Sequence, residues 1–403
     1  MHKKKLLLWS LYDFANSIVF INFLLYFSQW LVLNGGLSDF WYNATFAIST
    51  VLLFLTAPML AAHTDKHGGR KFSLNIATIC TAISYSLAAI LALRGAPIFI
   101  ITIFFLLGQY FYQLCFVFYN PLIEEISDLS HRSRASGIGQ FFNALGQVFG
   151  LLIMLPLARS SRLTPLLPAV GTFFLLALPM MFFYQEDQKR VRNVKFSSLL
   201  ADANIFTKLI PFFALSVAAP LLVAFFFYND ALVTVTNNYS IYMQEVLGVP
   251  DSTKSILLIS IVVMNGIGAI LAGWLGDRIG IRKTLQFTLI GWAIALPIIA
   301  YTDSLKILSA MTICMGLFIG AMWATSRAYM STLLATEEMG YGFSFYTLLE
   351  RFASFVGPLT WGGIIALFGR NATSYRIAMA SMTVFVFAGL IIITFWKRER
   401  SLT

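Results

Sequence analysis

Apolar stretches of membrane length alternate along the chain with short polar intervals. Twelve stretches stand out, at roughly 6–33, 42–62, 72–93, 97–121, 135–157, 165–184, 215–244, 255–275, 284–301, 307–330, 342–368 and 375–396. A hydrocarbon core of ~30 Å takes about 20 helical residues to cross, so the pattern predicts twelve transmembrane helices, spans 1 to 12 in chain order. The most polar interval, 185–207, divides them six and six. It is the expected cytoplasmic linker between a six-helix bundle at 1–184 and a second at 208–403.

Polar residues inside the spans break the apolar pattern at helical spacing. Span 1 carries Asp13 and Asn16 within LYDFANSIVF. Span 4 carries Gln109, Gln113, Asn120 and Glu124. Span 5 carries Ser136, Gln140, Asn143 and Gln147. Span 7 carries Asp230, Thr234, Asn237 and Gln244, and span 11 carries Ser344, Thr347, Arg351 and Ser354, with Glu350 beside them. An ionisable group facing lipid is expensive, so such stripes turn toward the bundle interior or a wet cavity. Each stripe alone reads equally well as hydrogen-bonding glue between helices. Four of them, in spans 4, 5, 7 and 11 and so drawn from both halves, predict an aqueous cavity for a small-molecule substrate. Its candidate substrate or ion-coupling residues are Asp13, Asn16, Gln113, Asn120, Gln140, Asn143, Asp230, Asn237, Glu350 and Arg351. Arg351 is the basic residue set well inside a span, a natural anchor for a substrate carboxylate or partner for an intramembrane acid. The VTVTNN run at 233–238 favours helix weakly, so span 7 is expected to bend or unwind there, after an interfacial piece near 206–214.

Composition agrees with the pattern. The 403 residues are 58% hydrophobic and 11% charged, with mean hydropathy +0.77, against about a quarter charged in soluble domains. Of the 28 Lys and Arg, 20 fall on the side of the N-terminus if that side is cytoplasmic, and 7 on the other. This bias predicts both termini inside. The net charge of +10 is therefore a topology signal and not a nucleic-acid footprint. Lys3, Lys4 and Lys5 precede an apolar run too long for a signal peptide, and the run is expected to stay as the first helix. Cys80, Cys115 and Cys314 read as packed free thiols. His2, His63, His67 and His131 show no metal spacing, and no nucleophile constellation or cofactor motif appears, so an enzyme is not expected.

The halves repeat. DKHGGRK (65–71) follows span 2 and DRIGIRK (277–283) follows span 8; both read D-x-x-G-x-R-K. Gly68 and Gly280 allow a tight turn, and Arg70, Lys71, Arg282 and Lys283 hold the loop at the cytoplasmic face. Asp65 and Asp277 end their helices where they can meet the positive N-terminus of a neighbour. With Glu124, Glu125 and Arg134 they are expected to form a cytoplasmic gate.

This doubled loop resembles the signature of the major facilitator superfamily. YDFANS (12–17), FYNPLIEEI (118–126), RASGIGQ (134–140), FFFYND (225–230) and FASFVGPLTWG (352–362) resemble its Atg22-like and UMF1 branch, although residues 26–28, YFS, lack a proline often found there. The resemblance implies an all-α membrane protein of two six-helix bundles with pseudo-twofold symmetry. It implies a monomeric secondary transporter of a bacterial inner membrane, surrounded by lipid, exporting an amino acid or similar metabolite by alternating access. The intramembrane carboxylates make H+ the expected coupling ion. A drug or lysolipid exporter, or a membrane sensor derived from a transporter, is the alternative.

Overall fold

A computed structural model of the chain describes residues 2–127, 132–186, 216–334, 346, 349–350 and 352–396. They are helical and fall into two compact units, Met1–Leu37 with Ile48–Asn204, and Ser38–Ala47 with Ile205–Thr403. The helices are α1 (Lys3–Asn22), α2 (Asp39–His67), α3 (Arg70–Leu93), α4 (Ile98–Tyr119), α5 (Arg132–Ala158) and α6 (Leu166–Phe183), then α7 (Ala219–Leu247), α8 (Asp251–Ile279), α9 (Ile281–Tyr301), α10 (Leu305–Leu333), α11 (Val356–Phe368) and α12 (Ala372–Phe395). All but α11 contain a stretch long and apolar enough to cross a membrane. The one-turn helix Ile123–Ile126 follows α4.

In the first unit α1 packs on α5 and α6, and α3 on α4 and α6. In the second, α7 packs on α11 and α12, and α9 on α10 and α12. Each pairing recurs six helices later. Small residues set the closest crossings. A Cβ added at Gly146 of α5 would lie 2.2 Å from the Phe14 carbonyl oxygen. One added at Gly320 of α10 would lie 1.8 Å from that of Asn265 on α8. Hydrogen bonds from Gln113 to Ser49 (3.1 Å) and between Thr56 and Tyr110 (2.8 Å) tie α2 to α4.

Among the described residues α1 is irregular where α7 was expected to be, and the expected eleventh span is interrupted at 353–355, ahead of α11. Beyond Asn22, α1 continues through two π-helical turns, Phe23–Phe27 and Trp30–Asn34. There the Ser28 hydroxyl and the Gln29 amide bond back to the carbonyls of Leu24 and Leu25, a habit that loosens a helix locally. The expected break at 233–238 is absent, and α7 runs as unbroken α-helix from 219 to 247. Thr234, Asn237 and Asn238 are buried there, and Thr234 and Asn238 each bond back to the helix itself. Thr234 Oγ1 donates to the Asp230 carbonyl (2.7 Å) and Asn238 Nδ2 to that of Thr234 (2.9 Å). Packing and back-bonding override propensity here. The interfacial piece expected near 206–214 and most of the expected linker lie outside the described residues.

The first turns of α2 belong to the second unit. Tyr375 donates to Asp39 Oδ1 at 2.7 Å, and Tyr42 donates to the Asn237 carbonyl at 2.8 Å. Asn43 and Asn238 exchange a pair of amide hydrogen bonds at 3.0 and 2.8 Å.

Candidate functional site

In the first unit the polar stripes of α1 and α5 meet. Asp13 is buried at 4% exposure. Asn143 Nδ2 donates to Asp13 Oδ1 at 2.8 Å, and Gln147 Nε2 donates to Asn143 Oδ1 at 2.8 Å. The spacing of four puts the two amides on one face of α5. Gly146 brings that face against α1, since any side chain there would strike the Phe14 carbonyl.

An aromatic wall from α4 closes the other side. The Tyr119 ring stacks on Trp9 at 4.6 Å and on Tyr12 at 5.3 Å. Trp9 Nε1 donates to the Tyr119 carbonyl (3.1 Å), and the Tyr119 hydroxyl donates to the Trp9 carbonyl (3.0 Å) and sits beside Asp13. Behind it Tyr12 shares a 2.7 Å hydrogen bond with Thr78 of α3, and the Cys115 thiol lies against Thr78 and Thr81. Asn16 is fully buried, and neither its Nδ2 nor its Oδ1 has a hydrogen-bond partner. Leaving both ends of a buried amide unpaired is costly. Among the described residues no Lys or Arg pairs with Asp13.

Asp230 lies at the matching point of α7, but its surroundings are different. Its Oδ2 accepts from the backbone N–H of Gly357 at 2.7 Å, and the N–H groups of Val356 and Phe355 point at the same carboxylate. These are the orphan donors at the start of α11, so Asp230 acts as an N-terminal cap supplied from a neighbouring helix. Beside it Tyr228 pairs with Ser326 of α10 (2.7 Å), as Tyr12 does with Thr78. Asn229 donates to the Glu350 carbonyl (3.3 Å) and accepts from Trp323 Nε1 (3.3 Å).

The other expected site residues scatter. Gln113 is spent on Ser49. Asn120 and Gln140 are exposed, and Asn237 is buried beside the first turns of α2. Arg351, Ser344 and Thr347 lie outside the described residues, as do the side chains of Asp65, Glu124 and Arg134.

At the doubled loops Gly68 and Gly280 adopt φ of +75° and +94°, the region that favours glycine. Arg70 N and Lys71 N donate to the Glu186 carboxylate at 3.1 and 3.0 Å, so Glu186, three residues beyond α6, caps the start of α3. In the second copy Arg282 donates to the carbonyls of Ile393 and Thr394 at 2.5–3.1 Å and caps the end of α12. Asp277 and Lys283 are exposed. Glu125 accepts from Tyr184 (3.2 Å) and pairs with Lys5 (3.6 Å).

Sequence reasoning missed three features. Glu186 looked like linker. Lys254 was counted only for topology, yet it is fully buried and donates to Gln244 (2.7 Å) and Asp251 (2.8 Å); the D-x-x-K spacing was its signal. The Asn43–Asn238 pair had no local signal, because its members are 195 residues apart.

The profile of the Major Facilitator Superfamily matches residues 10–250 and again 220–402. The chain belongs to the Major Facilitator Superfamily. It is thus a multi-pass integral membrane protein of a transporter family. Among curated relatives it is 22% identical to the uncharacterised MFS-type transporter YxiO of Bacillus subtilis, covering 98% of this chain and 95% of that one. It is 26% identical to the cis,cis-muconate transport protein of Acinetobacter baylyi over 32% of this chain and 31% of the relative. Among solved structures, a point mutant of the nucleoside transporter NupG superposes with a TM-score of 0.76 at 12% identity, over 97% of this chain and 99% of that one. A bacterial homologue of the human lysosomal transporter Spinster gives 0.75 at 16% identity, over 98% of each. These superpositions establish the major facilitator fold.

Proposed function

We propose that this superfamily member is a secondary active transporter, exporting a small polar metabolite of the amino-acid kind across a bacterial inner membrane in exchange for protons. The excess of basic residues on the side of the termini supports placing both in the cytoplasm. The observation that carries the reading is the Asp13 site. A buried carboxyl is held there by neutral partners, the Asn143 amide and the Tyr119 hydroxyl, beside an Asn16 that keeps both ends of its amide free. Asn and Tyr each donate and accept, so this site accommodates a carboxylate or a carboxylic acid. A carboxyl fixed by an Arg or Lys would stay ionised and could not carry a proton in each cycle. The sequence holds no nucleotide-binding loop, so a gradient supplies the energy. Narrower membership in the Atg22-like and UMF1 branch is part of this proposal, and it rests on the five segments that resemble that branch.

The test is transport in proteoliposomes carrying the purified protein, with radiolabelled amino acids, nucleosides and dicarboxylates as probes. The amino-acid class is expected to accumulate under an imposed pH gradient. Asp13→Asn is expected to keep exchange and lose that accumulation. Accumulation that responds only to sodium, or no flux of any probe class, would reject the reading.

A further inference from the structure

Asp13, Asn143 and Gln147 form a chain of three hydrogen-bonding groups with a direction. Gln147 donates to Asn143, and Asn143 donates to Asp13. That direction suits an ionised Asp13, which can only accept. A protonated Asp13 carries an O–H, and two groups stand within reach of it, the Asn143 amide and the Tyr119 hydroxyl oxygen. For Asn143 to accept that proton, its amide must turn over and present its oxygen. Its NH2 then faces Gln147, which must turn over as well to present its own oxygen. Each turn is a half rotation about a terminal sp³–sp² torsion, a soft and roughly two-fold coordinate. The exchanged O and NH2 groups are nearly the same size.

We propose that Asn143 and Gln147 are a two-amide relay whose polarity follows the proton on Asp13, so that Gln147 offers a carbonyl oxygen outward when Asp13 is ionised and an NH2 group when it is protonated. The inference rests on the reading of Asp13 as the coupling carboxyl, and it adds Gln147 as the residue that reads the substrate. No covalent step is involved beyond protonation. One O–H bond forms on Asp13 as one O–H bond of a hydronium ion breaks and leaves water, and the two hydrogen bonds along the chain reverse.

Gln147 is placed for this role. It is half-buried, and its Oε1, unlike both polar atoms of Asn16, is not sealed within the protein. That oxygen accepts from no described residue. Asn143 is a positioning residue, and the contact of Gly146 with Phe14 holds its helix at the distance the relay needs.

The remaining titratable groups near Asp13 leave the direction to its own proton. From α4 come Tyr119, beside the carboxyl, with Tyr112 and Cys115 around Tyr12. From α1 comes Tyr12, bonded to Thr78. Lys5 of α1 pairs with Glu125, after α4. α6 contains no titratable side chain, and the Arg residues of α5, Arg132 and Arg134, lie in its first turn. The substrate class follows from the two polarities. A zwitterion with an ammonium and a carboxylate, such as an α-amino acid, is held by its ammonium in one state and by its carboxylate in the other. A purely cationic solute gains from one state only, and a purely apolar one from neither.

Infrared pH-difference spectroscopy on the full-length protein in lipid nanodiscs tests the relay. The carboxyl band is assigned by its loss in Asp13→Asn, and the glutamine amide band by its loss in Gln147→Met. The relay predicts that the Gln147 amide band shifts with pH in step with the Asp13 carboxyl band. The shift should vanish in Asn143→Leu, while the carboxyl band still titrates. It should vanish too in Asp13→Asn, a near-isosteric change that checks the point independently. A titrating Asp13 with a Gln147 band indifferent to pH overturns the relay and leaves the proposed function standing. A Gln147 band that still shifts in Asp13→Asn also overturns it. An Asp13 band that never titrates removes the proposed function and the relay with it.

Discussion

Asp13 and Asp230 stand at matching places in the two repeats, each one residue or two beyond a tyrosine that bonds a hydroxyl on the third or fourth helix of its half. Each reaches the fifth helix of its own repeat. Asp13 meets side-chain amides there, and Asp230 meets backbone N–H groups at a helix start. The difference decides what each carboxyl can do. A side-chain amide can turn over and serve either protonation state. A backbone N–H cannot turn over, and the positive end of a helix favours a fixed negative charge. Two residues at matching positions of a repeat thus differ in their partners, side-chain amides at Asp13 and helix-start N–H groups at Asp230.

The largest effect that would break this comparison belongs to Asp230→Ala. It strips the cap from α11 and leaves buried N–H groups unpaired, and a loss of about 3 kcal/mol is expected from a charged hydrogen bond so removed. Thermal unfolding in detergent should show it. Unchanged stability would mean that Asp230 is not a cap. Next come the glycines that seat each aspartate. Alanine at Gly357 would put a methyl 2.2 Å from Thr234 Oγ1, and alanine at Gly146 would put one 2.2 Å from the Phe14 carbonyl oxygen. Each should cost about 1–3 kcal/mol through overpacking. Gly146→Ala should also weaken the Asp13 carboxyl response in infrared spectra, which Gly357→Ala should leave intact. Equal effects of both on that response would blur the two sites into one kind. Smaller still is Glu186→Ala, which removes the cap of α3 and should lower stability by about 1 kcal/mol. Arg282→Ala, which frees the carbonyls at the end of α12, should lower it by about 0.5–1 kcal/mol. If Glu186→Ala were silent, the first doubled loop would be held by its turn alone.

All the helices but α11, which begins only at Val356, were legible in the sequence because membrane length is a strong and local signal, and so was the doubling, because D-x-x-G-x-R-K occurs twice at equivalent places. Asp13 stood out for the same reason: a charge within an apolar run has few explanations. The partners of that charge were harder to read. Asn143 lay in a recognised stripe, but nothing local says which carboxyl an amide 130 residues away will meet. Span 7 misled because propensity was weighed without burial: Thr234 and Asn238 weaken an isolated helix but satisfy this one's own backbone. The π-helical turns of α1 went unseen because Phe, Leu, Tyr and Trp form ordinary helix as readily. Glu186 escaped because a cap drawn from a distant stretch of chain leaves no mark beside the helix it caps.

The central claim is that Asp13 exchanges the coupling proton and Asp230 does not. Its most direct test is substrate accumulation driven by a pH gradient alone, measured in proteoliposomes with Asp13→Asn and Asp230→Asn side by side and normalised to folded protein. Asp13→Asn should exchange substrate but fail to accumulate it, and Asp230→Asn should accumulate it as the unaltered protein does. Accumulation by Asp13→Asn, or its loss in Asp230→Asn at equal folded protein, would contradict the account.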